Sequence, residues 1–128
     1  MKHLLFIAIG GSIGTILRYK ISKFLPEVVN TIFPIGTMAV NIIGCFFIGF
    51  FYDLFDKMII DIDFKSFVTI GFLGALTTFS TYSIETINLL KDGELKFGIL
   101  NILLNNILGF IFVILGIFSS RIILKIIS

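Results

Sequence analysis

The sequence predicts an all-α integral membrane protein, with four transmembrane helices in a single domain over residues 1–128. Three observations carry that fold class. Hydrophobic residues make up 57% of the chain and charged residues only 14%, against about 25% charged in soluble domains. The apolar residues gather into four runs, Leu4–Leu17, Thr31–Tyr52, Phe67–Leu90 and Phe97–Ser119. Charges and turn formers gather between the runs. Crossing the hydrocarbon takes about 20 helical residues, so the expected spans are 3–20, 31–52, 66–90 and 97–119.

The first run is short, but Lys2 and Arg18 can snorkel to the two interfaces, and Tyr19 suits the headgroup level. No small-x-small cleavage site follows it, so it reads as a span and not a signal peptide. Gly10 and Gly14 form a G-x-x-x-G spacing that lets another backbone come close. His3 has no ligand partner at metal-binding spacing and is expected at the interface. Pro26 is expected to break the chain after this span, and Pro34 to sit in the first turns of the second, where proline is tolerated.

On the second helix Thr37 and Asn41 stand four apart, and Gly44 and Cys45 continue that face. Cys45 is the one cysteine and is read as a small buried residue. The connector Asp53–Lys65 is amphipathic, charged and expected at the interface. The third span holds the most unusual segment, Ile70–Glu85, with two glycines, three threonines and two serines in sixteen residues. Non-helical backbone survives at membrane depth only where protein buries it or a cavity is lined by it. A helix broken mid-membrane is therefore expected here. Lys91-Asp92-Gly93-Glu94 is a short polar turn, which makes the last two helices antiparallel neighbours. On the fourth, Asn101, Asn105 and Gly109 follow at four-residue steps.

Charge gives no orientation. The N-terminus, middle loop and C-terminus carry Lys2, Lys57, Lys65, Arg121 and Lys125, and the other two loops carry Arg18, Lys20, Lys23, Lys91 and Lys96, five against five. Without a positive-inside bias, the expectation is insertion in both directions and an antiparallel homodimer. Four short spans leave little room for a pore inside one copy, which favours an interface between copies.

The polar inventory excludes catalysis. There is no His/Cys/Asp/Glu cluster for a transition metal, no nucleophile with a base in reach and no phosphate loop. What remains in the spans is neutral donors: Asn amides, Ser and Thr hydroxyls, and the Tyr82 hydroxyl. Glu85 is the one acid expected within a span. Donors without fixed cations suit an anion that must shed water and still leave. Ring edges carry partial positive charge, so Phe79, three residues from Tyr82, could face such an anion. Bonding between helices, and ordinary packing in a chain with sixteen Phe, would account for the same residues. Both readings stay open on spacing alone.

Three segments resemble a known family. Gly10-Gly11-Ser12-Ile13-Gly14 with Arg18-Tyr19 is similar to its first-helix signature, and Pro34-x-Gly36-Thr37 with Val40-Asn41-x-x-Gly44-x-Phe46-x-x-Gly49 to its second. Gly71-Phe72-Leu73-Gly74-Ala75-Leu76-Thr77-Thr78-Phe79-Ser80-Thr81-Tyr82-Ser83-Ile84-Glu85 is similar to its third. The family is the Fluc (CrcB) fluoride channels. The resemblance implies an antiparallel dual-topology homodimer in the cell inner (plasma) membrane, with two fluoride pores. It implies fluoride export down its electrochemical gradient, and a structural sodium ion at the dimer centre held by the backbone carbonyls of Gly74 and Thr77. Phe79 would meet fluoride by its ring edge and Asn41 would donate to the ion. Arg18 would lie near a vestibule and Glu85 toward the far end of the path. The path so drawn takes in Arg18, Thr37, Asn41, Phe79, Ser80, Tyr82, Glu85, Asn101 and Asn105.

The chain departs from the family where Tyr82 replaces a second Phe. It departs again where Asn101 and Asn105 replace a track that commonly starts with Tyr and Ser. Other readings are a proton-coupled small dual-topology exporter, for which Glu85 is the only candidate acid, and a non-transporting assembly subunit. The partners expected are fluoride, the lipid bilayer and a second copy of the chain, with no nucleic acid.

Overall fold

In a computed structural model, which describes residues 1–127, the chain is helical nearly throughout. The helices are α1 (Lys2–Val29), α2 (Ile35–Lys57), α3 (Ile62–Ser66), α4 (Gly74–Leu76), α5 (Phe79–Lys91) and α6 (Leu95–Ile127), with a π-helical segment, Phe67–Leu73, between α3 and α4. Four stretches are long and apolar enough to cross a membrane: Lys2–Val29, Ile35–Lys57, Ile62–Lys91 and Leu95–Ile127.

Burial follows the rule of lipid rather than water. Along α6 the buried residues are Gly98, Asn101, Gly109, Gly116 and Ser120, while Ile107, Phe110, Ile114 and Phe118 point outward. On α1 only Gly10 and Gly14 are buried. Lipid tails are as apolar as leucine, so helices associate in a bilayer through close backbone approach and interhelical hydrogen bonds. Each glycine seam shows that approach. A Cβ at Gly10 or Gly14 would strike the backbone of Phe67, Phe72 or Leu76, and one at Gly71 would strike Ile7 and Gly10. Gly49 lies against the backbone of Val113, and Gly116 against that of Phe46 and Phe50. These last two bind α2 to α6, the most extensive helix pair. Val40, Phe55, Val68, Leu73 and Leu76 make the apolar core between α2 and the third segment.

α1, α2 and α6 all extend past their expected spans, α6 to Ile127. α1 continues through Pro26 to Val29. The proline forfeits one helical hydrogen bond, and the helix ends instead at Asn30, in the left-handed conformation at φ 49° with its N–H on the Pro26 carbonyl at 2.9 Å. α2 runs to Lys57, so Asp53 belongs to a helix and not to the connector. Asp53 is buried, with Lys57 Nζ and Arg121 Nε each 3.3 Å away. His3 is not alone, since its Nδ1 lies 2.9 Å from Asp63 Oδ1 at the start of α3.

The expected polar turn forms. Asp92, Gly93 and Glu94 donate backward to the carbonyls of Asn88, Leu90 and Leu89. Gly93 adopts φ +81°, where only glycine is unstrained. α5 therefore folds back along α6, with Tyr82, Thr86 and Leu89 as its buried face.

Candidate functional site

The site begins with a break in the third segment. Thr77 and Thr78 leave the helical region at φ/ψ −82°/155° and −151°/116°. Thr78 then caps α5, its Oγ1 accepting from the N–H of Thr81 at 3.2 Å. The backbone groups freed at the break need other partners, and Asn41 on α2 makes two bonds there. Asn41 Oδ1 accepts from the N–H of Thr78 at 2.8 Å, and Nδ2 donates to the Thr78 carbonyl at 3.2 Å. In an unbroken helix the N–H of Thr78 would have closed onto the carbonyl of Gly74 and that of Thr81 onto Thr77. Both are redirected, which leaves two carbonyls beside the break without those donors.

A chain of amides runs inward from this clamp. Asn41 Nδ2 also donates to Asn105 Oδ1 at 3.1 Å, and Asn105 Nδ2 donates to Asn101 Oδ1 at 2.8 Å. Asn101 Nδ2 donates to Thr86 Oγ1 at 2.8 Å, and Thr86 donates to the Tyr82 carbonyl at 2.8 Å. Asn101 is 1% exposed. Each amide nitrogen in the chain has an acceptor, so the stripes on α2 and α6 bind the two helices to the break and to α5.

The face of this network opens on a groove of about 330 Å³, lined by Asn41, Gly44, Cys45, Ile48, Thr69, Leu73, Gly74, Thr77, Thr78, Phe79, Tyr82, Asn105 and Asn106. Phe79 stands at its rim, 78% exposed, with its ring centroid 5.4 Å from that of Tyr82 and the ring planes at 59°. Tyr82 is buried at 7% exposure.

Of the residues singled out in the sequence, Asn41, Gly74, Thr77, Phe79, Tyr82 and Asn105 meet at this groove. The others lie elsewhere. Arg18 lines a separate hollow with Thr15, Ser22, Lys23 and Thr81, and its guanidinium reaches the Thr77 carbonyl at 3.5 Å. Glu85 opens on a third hollow with Asn88, Asp92 and Glu94, and its Oε1 accepts from Thr37 Oγ1 at 2.8 Å. Ser80 is exposed, with Oγ 3.3 Å from Thr78 Oγ1. Asn101 sits behind the groove.

Sequence reasoning missed Thr78 and Asn106. Thr78 carried a readable signal, a Thr three residues before a hydroxyl-rich turn, as an N-cap does. Asn106 carried none, because it lies beside the Asn101–Asn105 stripe. It lines the groove and donates to Tyr82 Oη at 3.2 Å.

Comparison with known proteins gives the family. The family described as CrcB-like protein, Camphor Resistance (CrcB), matches residues 5–117. A protein of Shewanella sp. (strain W3-18-1), described as a fluoride-specific ion channel FluC, is 47% identical over 116 residues, covering 91% of this chain and 94% of its own. A protein of the same description from Desulforapulum autotrophicum is 42% identical over 125 residues, covering 96% and 100%. One from Shewanella oneidensis is 45% identical over 116 residues, covering 91% and 94%.

Proposed function

The chain belongs to the CrcB family, and from that premise we propose that it is a multi-pass fluoride channel of the cell inner membrane, not an enzyme. It would work as an antiparallel homodimer with two pores, releasing fluoride down its electrochemical gradient and so conferring fluoride resistance. The observation that carries this reading is the groove at the Thr77–Thr78 break. It gathers an aromatic ring, a phenol and three amides around backbone that no helix satisfies, with no carboxylate in its lining. Phe79 offers a dehydrating anion partial positive charge without the grip of a fixed cation. Asn41 would offer the N–H it otherwise gives Asn105, and Asn105 the far wall.

The rim position of Phe79, 78% exposed in one copy, suits a path closed by a second chain. Arg18 at the adjacent hollow would draw anions inward, past the hydroxyls of Ser80 and Thr81. Glu85, held by Thr37, would mark the other end, and Asn101 would brace the α6 wall.

A sodium ion at the dimer centre fits the same break. Carbonyl oxygens suit a hard cation, and those of Gly74 and Thr77 have lost their helical donors. The Arg18 contact to the Thr77 carbonyl, at 3.5 Å, is long for a hydrogen bond and occupies one lone pair. Two copies would supply four such oxygens, and the ion would then fix the two broken segments to each other.

Proteoliposomes loaded with fluoride, read by a fluoride electrode with chloride as control, test the reading. Rapid fluoride loss with chloride retained is expected, and Phe79→Ile should lose most of that flux while the dimer persists. Vesicles that hold their fluoride would refute the channel. The exporter alternative rests on Glu85, whose Oε2 is buried without a hydrogen-bond partner among the described residues. Flux that requires a pH gradient would favour it.

A further inference from the structure

The phenol of Tyr82 accepts a hydrogen bond and has no acceptor for its own proton among the described residues, and we infer that Asn106 is a positioning residue that aims this proton into the groove. The inference deepens the channel reading above and rests on it.

The orientation of Asn106 follows from its neighbours. Its Nδ2 lies 2.8 Å from the Ile102 carbonyl, one turn back along α6. A carbonyl takes only a donor, so the nitrogen, and not Oδ1, faces it. The second hydrogen of the same nitrogen reaches Tyr82 Oη at 3.2 Å. Tyr82 Oη is thus an acceptor toward α6, and its O–H must turn away from Asn106. Among the described residues it finds no protein acceptor there. It makes no hydrogen bond to the amide oxygens of Asn105 or Asn41, which accept from Asn41 Nδ2 and from the Thr78 N–H.

Buried polar groups are rarely left unpaired. Here Tyr82 is 7% exposed, its ring lies against Phe79, and it lines the groove together with Asn106. The partner must come from the groove itself and must be an acceptor small enough to pass Phe79. A dehydrated halide has that chemistry. Asn106 therefore does two things: it holds the ring in one rotamer and sets the direction of the O–H.

The test separates binding from throughput. Initial rates of fluoride efflux from proteoliposomes, taken over a range of internal fluoride, give a half-saturating concentration and a limiting rate. A hydrogen bond to a charged group carries enough energy that losing its alignment should raise the half-saturating concentration about tenfold. Asn106→Leu should show that rise, with a smaller change in limiting rate. Tyr82→Phe should show the same rise, and the double variant should be no worse than Tyr82→Phe alone. Asn106→Ser gives a second route, since its hydroxyl would bond back to Ile102 and leave Tyr82 unaimed. A brace with no part in aiming would lower the melting temperature and leave half-saturation alone. An unchanged half-saturation in both Asn106 variants, or a further rise on the Tyr82→Phe background, would overturn the inference. Wild-type vesicles that release no fluoride would instead refute the channel reading.

Discussion

The two halves of the third transmembrane segment are held in place by different physics. The first half, Ile62–Leu76, lies flat against α1 through glycine. Gly71 meets Gly10 and Ile7, and Gly14 meets Phe72 and Leu76 at backbone contact, with Leu73 and Leu76 almost fully buried beside it. The second half, Phe79–Lys91 with its cap Thr78, hangs from α2 and α6 by side-chain hydrogen bonds, at Thr78–Asn41, Tyr82–Asn106, Glu85–Thr37 and Thr86–Asn101. Close-packed contact leaves no space. Directional bonds reach across a gap and leave open volume between their ends. The groove lies where the holding changes from the first kind to the second, which is why one segment can be both a wall and a path.

Substitutions can break this contrast or sharpen it. The largest effect is expected from Gly14→Leu, because the added side chain would meet backbone on the third segment, which cannot swing aside. Overpacking against a rigid neighbour costs about 3 kcal/mol or more. Size-exclusion chromatography should show little monodisperse protein. Asn41→Leu comes next. It leaves the Thr78 N–H without its acceptor, at about 1–3 kcal/mol for a donor left unpaired, and removes the second bond to the Thr78 carbonyl. The melting temperature in detergent should fall, and fluoride efflux should be lost even from protein that assembles. Thr86→Val should be mildest, at about 1 kcal/mol for one interhelical bond, with efflux retained. If Gly14→Leu and Thr86→Val proved equally costly, the distinction between the halves would be wrong.

Much of the scaffold was legible because membrane packing writes itself in small residues. Gly10 and Gly14 announced a close approach, and the Asn101–Asn105–Gly109 stripe announced an inward face. The Ser/Thr-rich run announced a break that the backbone makes at Thr77. The π-helical turns at Phe67–Leu73 were not legible, since their apolar residues satisfy α and π hydrogen bonding alike. The overrun of α1 was hidden by Pro26, whose lost hydrogen bond a long helix can absorb. At the site, Phe79 and Tyr82 were found as a pair by their spacing. Their partner Asn106 was not, because a single amide one step off a stripe looks like any exposed polar residue until its helix is rotated into place.

Asn41 has one more consequence. A carboxamide carries the same donor and acceptor as a peptide unit, so to Thr78 this side chain stands in for the neighbouring strand of a sheet. Aspartate or leucine lacks the donor, serine lacks the reach, and glutamine would overshoot by a methylene. Position 41 therefore has an alphabet of one letter, fixed by the backbone it splices before any ion enters.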